Sequence, residues 1–172
     1  MLSAERGYSL VELLTVMAIM GVVMTGVTAL LVQGSNAEVD MNARFQAQQT
    51  ARVAFDKIRR EGHCASLATL TGQTKATLTV DAACGSQVSW CTVAVTGTTR
   101  YALYRQTGAT CGSSGVKWAD YLTSGNVFTY TAQSSQSLAT LSVDLPVNVR
   151  PTRTFETYDL KGDIALRNST RT

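Results

Sequence analysis

The chain has 172 residues, of which 45% are hydrophobic and only 16% are charged. Its 15 Lys and Arg residues, set against 12 Asp and Glu residues, give a net charge of +3 at pH 7. This mildly basic balance does not by itself indicate a nucleic-acid-binding protein. The length suits one compact domain in addition to an N-terminal helical region.

An apolar run without any charged residue occupies residues 13–37, and the wider stretch 8–32 is 25 residues long. As a helix, a stretch of this length crosses a hydrocarbon core, which requires about 20 residues. The charge inside this stretch is Glu12. A carboxylate in the middle of a bilayer costs roughly 2.5 kcal/mol or more, so Glu12 requires a partner. The sequence predicts a transmembrane and assembly helix at residues 8–33.

The segment at residues 6–14 reads RGYSLVELL. It resembles the prepilin leader junction of type IV pilins and pseudopilins, in which a short leader ends in Gly, an aromatic residue follows, and a Glu lies inside the hydrophobic helix. The resemblance implies that residues 1–7 are a leader and that a prepilin peptidase cleaves between Gly7 and Tyr8. It also implies that this enzyme N-methylates Tyr8, which stands where the family usually has Phe. By the same resemblance, Glu12 pairs with the terminal amine of a neighbouring pilin subunit.

The location also follows from this resemblance. It implies one pass through the cytoplasmic membrane, a head outside the cytoplasm, and later incorporation into a filament at the cell surface. The alternative is an uncleaved signal anchor in which Glu12 has no role in subunit assembly. A removable secretory signal fits less well, because its apolar region has about 7–15 residues and its small-residue cleavage site follows that region.

The helix is predicted to continue as an amphipathic segment through residues 34–62. Neither Pro nor Gly occurs at residues 37–61, and Gly62 predicts the C-terminal stop. The predicted apolar stripe recurs at steps of three and four residues and comprises Met41, Phe45, Gln48, Ala51, Phe55 and Ile58. A single stripe of this kind predicts that the segment packs against a folded head.

The remaining residues, 63–172, predict a β-rich globular head. Strands are expected at residues 76–80, 87–95, 100–106, 126–131 and 138–145, with shorter ones at 154–160 and 163–166. A turn at Gly97 is expected to join the second and third of these as a hairpin. Pro146 and Pro151 are expected to bracket a break. A long helix followed by an antiparallel sheet that packs on it is an α+β fold.

The four cysteines of the chain, Cys64, Cys84, Cys91 and Cys111, all lie in this head. In a head outside the cytoplasm, an even number of cysteines predicts two disulfides, with three pairings open. Cys64–Cys84 with Cys91–Cys111 is favoured because each bond closes a loop of about 20 residues. A zinc site is the alternative, but zinc knuckles prefer closely spaced Cys pairs, and this sequence has none.

Enzymatic function has the least support in the sequence. His63 is the only histidine, and no Gly-rich phosphate loop or carboxylate pair at metal-ligand spacing is found. We therefore expect no catalytic residue, no metal and no other cofactor. The favoured function is a minor pilin or pseudopilin subunit of a type IV pilus-like or type II secretion-like filament. The alternatives are a tip module that binds DNA or surfaces and a plain membrane-anchored protein. DNA contact is not favoured, because it would depend on scattered arginines: Arg150, Arg153, Arg167 and Arg171.

Overall fold

A computed structural model describes residues 9–80, 84–150, 153 and 156–169 of the chain. In this part of the chain, one long helix, α1 (Leu10–Cys64), precedes eight strands. This arrangement confirms the predicted α+β fold. The strands are β1 (Ala65–Thr71), β2 (Lys75–Val80), β3 (Val88–Ala94), β4 (Tyr101–Thr107), β5 (Val116–Leu122), β6 (Phe128–Thr131), β7 (Thr140–Val147) and β8 (Tyr158–Ala165).

By its internal contacts, the chain divides into two units, Met1–Asn42 and Ala43–Thr172. The described part of the first unit consists of Ser9 and the first part of α1, and none of these residues is buried. The second unit contains the rest of α1, all eight strands and the hydrophobic core. The core therefore depends on the C-terminal part of α1 and on the sheet.

The sheet of the second unit is antiparallel at every described pairing. Its strand order is β1-β2-β3-β4-β5-β7-β6, and β8 also pairs with β7. The first five strands are neighbours in sequence order, as in a meander of hairpins. β7 is the central strand of the C-terminal half, because β8 pairs along its whole length while β6 and β5 share its other edge.

The face of α1 that packs on the sheet differs from the predicted stripe. Met41 and Phe45 were expected on this face, but they are 71% and 65% exposed. The buried face begins instead with three alanines, whose small side chains allow the helix to approach the sheet closely. Phe45 lies two residues before Ala47, about 200° around the helix, and is therefore on a different face. Met41 also precedes the unit that contains the core. The buried residues of α1 are Ala47, Ala51, Ala54, Phe55, Ile58 and Gly62.

Gly62 does not end the helix, as the sequence predicted, because α1 continues to Cys64. A Cβ atom at Gly62 would lie 2.6 Å from Cγ2 of Ile164 in β8, which is too close for any side chain. The glycine is therefore required by helix–sheet contact and not by a turn. The ring of Phe55 packs equally closely on Gly162 of β8, where a Cβ atom would lie 2.5 Å from the ring.

Two strand predictions are confirmed in detail. The turn at Gly97, which has φ of 76°, joins β3 to β4, and Ala94 pairs with Tyr101 at its base. Along β7, buried and half-buried residues alternate, with Leu141, Val143 and Leu145 inside as predicted. The strands predicted at residues 154–160 and 163–166 correspond to one strand, β8 (Tyr158–Ala165), and residues 154 and 155 lie outside the described residues. Pro151 lies outside the described residues.

Pro146 lies within β7, opposite Asp159 of β8, and the predicted break follows directly after it, since β7 ends at Val147 and β8 begins at Tyr158. The carbonyl oxygen of Pro146 accepts the backbone N–H of Thr123 at 2.9 Å, on the side of the strand that faces β5. The missing N–H of Pro146 points to that same side, so the β7–β8 ladder loses no hydrogen bond.

Candidate functional site

The predicted processing residues, Gly7 and Tyr8, lie outside the described residues. Ser9 precedes α1, and its carbonyl oxygen accepts the backbone N–H groups of Glu12 at 3.0 Å and Leu13 at 3.2 Å. Ser9 and Glu12 also have the S-x-x-E spacing of a capping box, a helix-start signal that the sequence prediction did not include. The helix begins at Leu10, three residues after Gly7 of the predicted cleavage position.

Glu12 lies in the first turn of α1 and is exposed. Within the described parts of the chain, no hydrogen bond or ion pair engages its carboxylate. The partial positive charge at a helix N-terminus favours a carboxylate there by about 0.3–1 kcal/mol. This is less than the roughly 2.5 kcal/mol or more that a carboxylate costs inside a bilayer. The described chain therefore supplies no sufficient counter-charge for Glu12.

The surface of α1 around Glu12 is apolar on all sides, and its large side chains from residue 10 to residue 32 are exposed. By length and composition, α1 is able to cross a membrane. The hydroxyl groups of Thr15, Thr25 and Thr28 donate to backbone carbonyl oxygens of the preceding turn at 2.8–2.9 Å. These internal hydrogen bonds leave the three hydroxyls satisfied, as a hydrocarbon environment requires. The helix thus fits membrane anchoring.

Two disulfides connect the four cysteines of the head in the pairing that the sequence favoured. Cys64–Cys84 joins the end of α1 to the segment between β2 and β3, with 6.1 Å between the Cα atoms. Cys91–Cys111 joins β3 to the loop after β4, with 5.9 Å between the Cα atoms. Among the described residues, no group of three or more His, Cys, Asp and Glu side chains could hold a metal ion.

His63 does not form a reactive pair with the cysteine beside it. Its Nδ1 atom lies 3.0 Å from the carbonyl oxygen of Ala165, at the end of β8. Cys64 has no thiolate to offer, because it is in a disulfide. The contact connects the last turn of α1 to the end of β8.

A charged network at Glu61 connects α1 to two strands. Its Oε2 atom accepts the indole N–H of Trp90 in β3 at 2.8 Å. Its Oε1 atom accepts Nε–H of Arg105 in β4 at 2.8 Å and lies 3.2 Å from Nζ of Lys57. The Glu61 side chain is only 11% exposed, so these bonds compensate for the removal of its charge from water. No local sequence pattern indicates this network, since its members are distant along the chain.

A second charged contact joins α1 to the segment before β8. Nη2 of Arg44 donates to Oε2 of Glu156 at 2.7 Å, and Nη1 of Arg153 lies 3.3 Å from Oε1. Burial alone would raise the pKa of Glu156, but the hydrogen bonds and charges of the two arginines outweigh it and lower the pKa below 4.5. On the sheet, the hydrogen bond and charge of Asp144 raise the pKa of Lys161.

Comparison with known proteins assigns the N-terminal segment. Residues 2–28 match the family model of the prokaryotic N-terminal methylation motif, the signature of type IV pilins and pseudopilins. This match includes Gly7, Tyr8 and Glu12. No curated protein and no solved structure matches the chain. The motif implies processing by a prepilin peptidase and association with other pilins.

Proposed function

We propose that the chain is a minor pilin or pseudopilin subunit that joins a type IV pilus-like or type II secretion-like filament. The observation that carries this proposal is the methylation motif at residues 2–28, which contains Glu12 within a helix able to cross a membrane. Before assembly, the subunit crosses the cytoplasmic membrane once, with the disulfide-bonded head outside the cytoplasm. No enzymatic activity forms part of this function.

Processing supplies the charge that Glu12 lacks. Hydrolysis of the peptide bond between Gly7 and Tyr8 leaves an α-amine on Tyr8. An α-amine has an ordinary pKa of about 7.7–8.0, so most of it is protonated at neutral pH. Methylation of the nitrogen keeps it basic. In the filament, this cation pairs with Glu12 of the neighbouring subunit and thereby offsets the cost of an unpaired acid among apolar helices.

The sharpest test of this pairing is Glu12→Ala in the native host. We expect the variant to insert in the membrane and to be processed, but to be absent from the sheared filament fraction. The matched control is Glu38→Ala, which removes another exposed acid from the same helix outside the apolar run. The control should be incorporated normally. Incorporation of Glu12→Ala at the level of the unchanged protein would disprove the pairing.

Processing is tested separately by the intact mass and N-terminal sequence of the membrane protein. We expect a mature chain that starts at methylated Tyr8 in cells with the prepilin peptidase and a chain that retains residues 1–7 in cells without it. A chain with residues 1–7 in both backgrounds would instead support the uncleaved anchor.

DNA binding at the filament tip receives no support from the described arginines of the C-terminal region. The guanidinium group of Arg153 is already paired with Glu156. Arg167 is exposed, and Arg171 lies outside the described residues. We therefore retain filament assembly as the proposed function.

A further inference from the structure

The head contains an open groove of about 460 Å³ between β1 and β6, within the size range of ligand sites, roughly 300–1,000 Å³. In the described part of the chain, β1 pairs with β2 alone and β6 pairs with β7 alone. At one end of the groove, the backbone N–H of Phe128 donates to the carbonyl oxygen of Gln73 at 3.0 Å. Six uncharged residues line the groove: Ser66, Leu67, Tyr130, Ala132, Gln133 and Asn168.

The register of the sheet shows which backbone groups of β1 have no strand partner. The carbonyl oxygen of Thr74 accepts the backbone N–H of Thr92 at 2.9 Å, so Thr74 faces β3. Because successive residues of a strand face opposite neighbours, Thr77 faces β1, and its partner Thr69 faces β2. Ala68 therefore directs its N–H and C=O groups away from β2, to the side of β1 on which the groove lies.

The backbone of β6 has unpaired groups on the opposite side of the same groove. The carbonyl oxygen of Val127 accepts the backbone N–H of Asp144 at 2.9 Å, so Val127 faces β7. Tyr130, three residues later, therefore faces away from β7, as Phe128 does. No described residue pairs with the N–H and C=O groups of Tyr130, whose side chain also lines the groove.

Free strand edges are common, and proteins usually protect them with charged side chains. The strand β8, which pairs only with β7 in the described chain, follows this rule with charges at alternate positions: Asp159, Lys161 and Asp163. The two strands at the groove do not, since residues 65–74 and 126–143 contain no charged residue. Leu67 is also 48% exposed there. These two edges therefore lack the charges that would exclude another strand.

We propose that this groove binds an extended, uncharged peptide segment of a partner protein. An extended backbone supplies the acceptors and donors that the N–H and C=O groups of Ala68 and Tyr130 lack, and Leu67 offers contact to an apolar side chain. A charged segment would lose hydration in the groove, because none of the lining residues offers a counter-charge. The inference goes beyond filament assembly and does not depend on it.

The test uses the full chain with both disulfides intact in a non-ionic detergent. The probe is a phage-displayed library of random seven-residue peptides. We expect selection to enrich uncharged peptides rich in β-branched and aromatic residues, which favour an extended strand. Synthetic copies of these peptides with blocked termini should bind saturably at one site in calorimetric titrations.

Leu67→Lys places a charge at the groove and should weaken binding of these peptides by about tenfold or more. The matched control is Thr69→Lys. It adds the same charge to the same face of β1, at an exposed position that does not line the groove, and should leave affinity within about twofold. Unfolding midpoints and disulfide mapping should show that both variants are folded.

Hydrogen exchange measured by NMR tests the backbone pairing directly. Bound peptide should slow exchange at the N–H groups of Ala68 and Tyr130 and leave that of Thr69 unchanged, because Thr69 already pairs with β2. Three results would overturn the proposal: no enrichment over the Leu67→Lys chain, equal losses in the two lysine variants, or unchanged exchange at Ala68 and Tyr130. Self-association that Leu67→Lys alone abolishes would also overturn it, since the occupant would then be a second copy of this chain.

Discussion

At Gly62, the absence of a side chain determines how closely α1 approaches β8. Ala is normally about 1 kcal/mol more favourable than Gly inside a helix. Here the added methyl would lie 2.6 Å from Cγ2 of Ile164, a fully buried and β-branched side chain that has little room to move. Overpacking costs about 1–3 kcal/mol, which outweighs the gain in helix propensity, so we expect Gly62→Ala to lower the free energy of unfolding by up to about 2 kcal/mol. Urea unfolding of the full chain measures this loss.

The control for Gly62→Ala is the same substitution in an Ile164→Ala background. Because the obstructing methyl group is then absent, the helix propensity of Ala should make Gly62→Ala neutral or stabilising there. If the substitution is equally destabilising in both backgrounds, contact with Ile164 is not the cause.

Glu156 gives the head a pH dependence whose sign follows from its lowered pKa. Above the ordinary pKa of 4.5, the carboxylate is ionised in the folded and unfolded chains, and its contacts with Arg44 and Arg153 contribute fully to stability. As the pH falls below 4.5 and through the lowered pKa of the folded state, this contribution is lost.

The measurement is a double-mutant cycle of Arg44→Gln and Glu156→Gln, which isolates the coupling between the two side chains. We expect a favourable coupling at about pH 7 that declines steadily as the folded-state carboxylate is protonated under acid conditions. A coupling that is unchanged in acid would mean that ionisation of Glu156 does not stabilise the fold.

Among the elements, the two disulfides should differ in their reactivity toward reductants. Cys84 is exposed and Cys64 is half-buried, whereas Cys91 is buried and Cys111 is half-buried. An attacking thiolate requires access to a sulfur atom, so Cys64–Cys84 should be reduced first. Graded treatment with dithiothreitol, alkylation and mass spectrometry should label Cys64 and Cys84 at lower reductant concentrations. Labelling of Cys91 and Cys111 first would contradict the prediction.

The elements also show where local sequence patterns are sufficient to predict secondary structure and burial. The uncharged run predicts the membrane part of α1 because its signal is continuous, and the alternation along β7 predicts its buried face because each inward residue is apolar. β1 was missed because it starts at Ala65, immediately after the helix, with no turn residue between them. β5 was missed because it contains two charged residues and Tyr121 at a positive φ of 62°, beside irregular pairing with β4.

The candidate functional residues also fall into those that a local sequence pattern identifies and those that it does not. Glu12 and the predicted processing residues, Gly7 and Tyr8, are neighbours in the sequence, so one contiguous motif contains all three. The Glu61 network combines residues from α1, β3 and β4, which meet only after folding. No local pattern indicates that Glu61 of α1 meets Trp90 and Arg105. This assignment required the orientation of the helix on the sheet.

For the whole molecule, the division into two units predicts where the chain can be shortened. The core residues all belong to the second unit, Ala43–Thr172. A fragment of residues 43–172 should therefore be soluble, should unfold cooperatively and should contain both disulfides. A fragment of residues 63–172 retains every cysteine but loses the buried face of α1, including Phe55 and Ile58.

Burial of Phe55, Ile58 and the alanines beside them contributes on the order of 5 kcal/mol. This is comparable to the total stability of a typical domain, about 5–15 kcal/mol. We therefore expect the fragment of residues 63–172 to unfold without cooperativity and to form non-native disulfide pairings, even though it contains the complete sequence of the sheet. Circular dichroism, urea unfolding and disulfide mapping of the two fragments measure the difference. A folded fragment 63–172 would show that the sheet is stable alone, and the C-terminal part of α1 would then only be docked on a head that it does not help to fold.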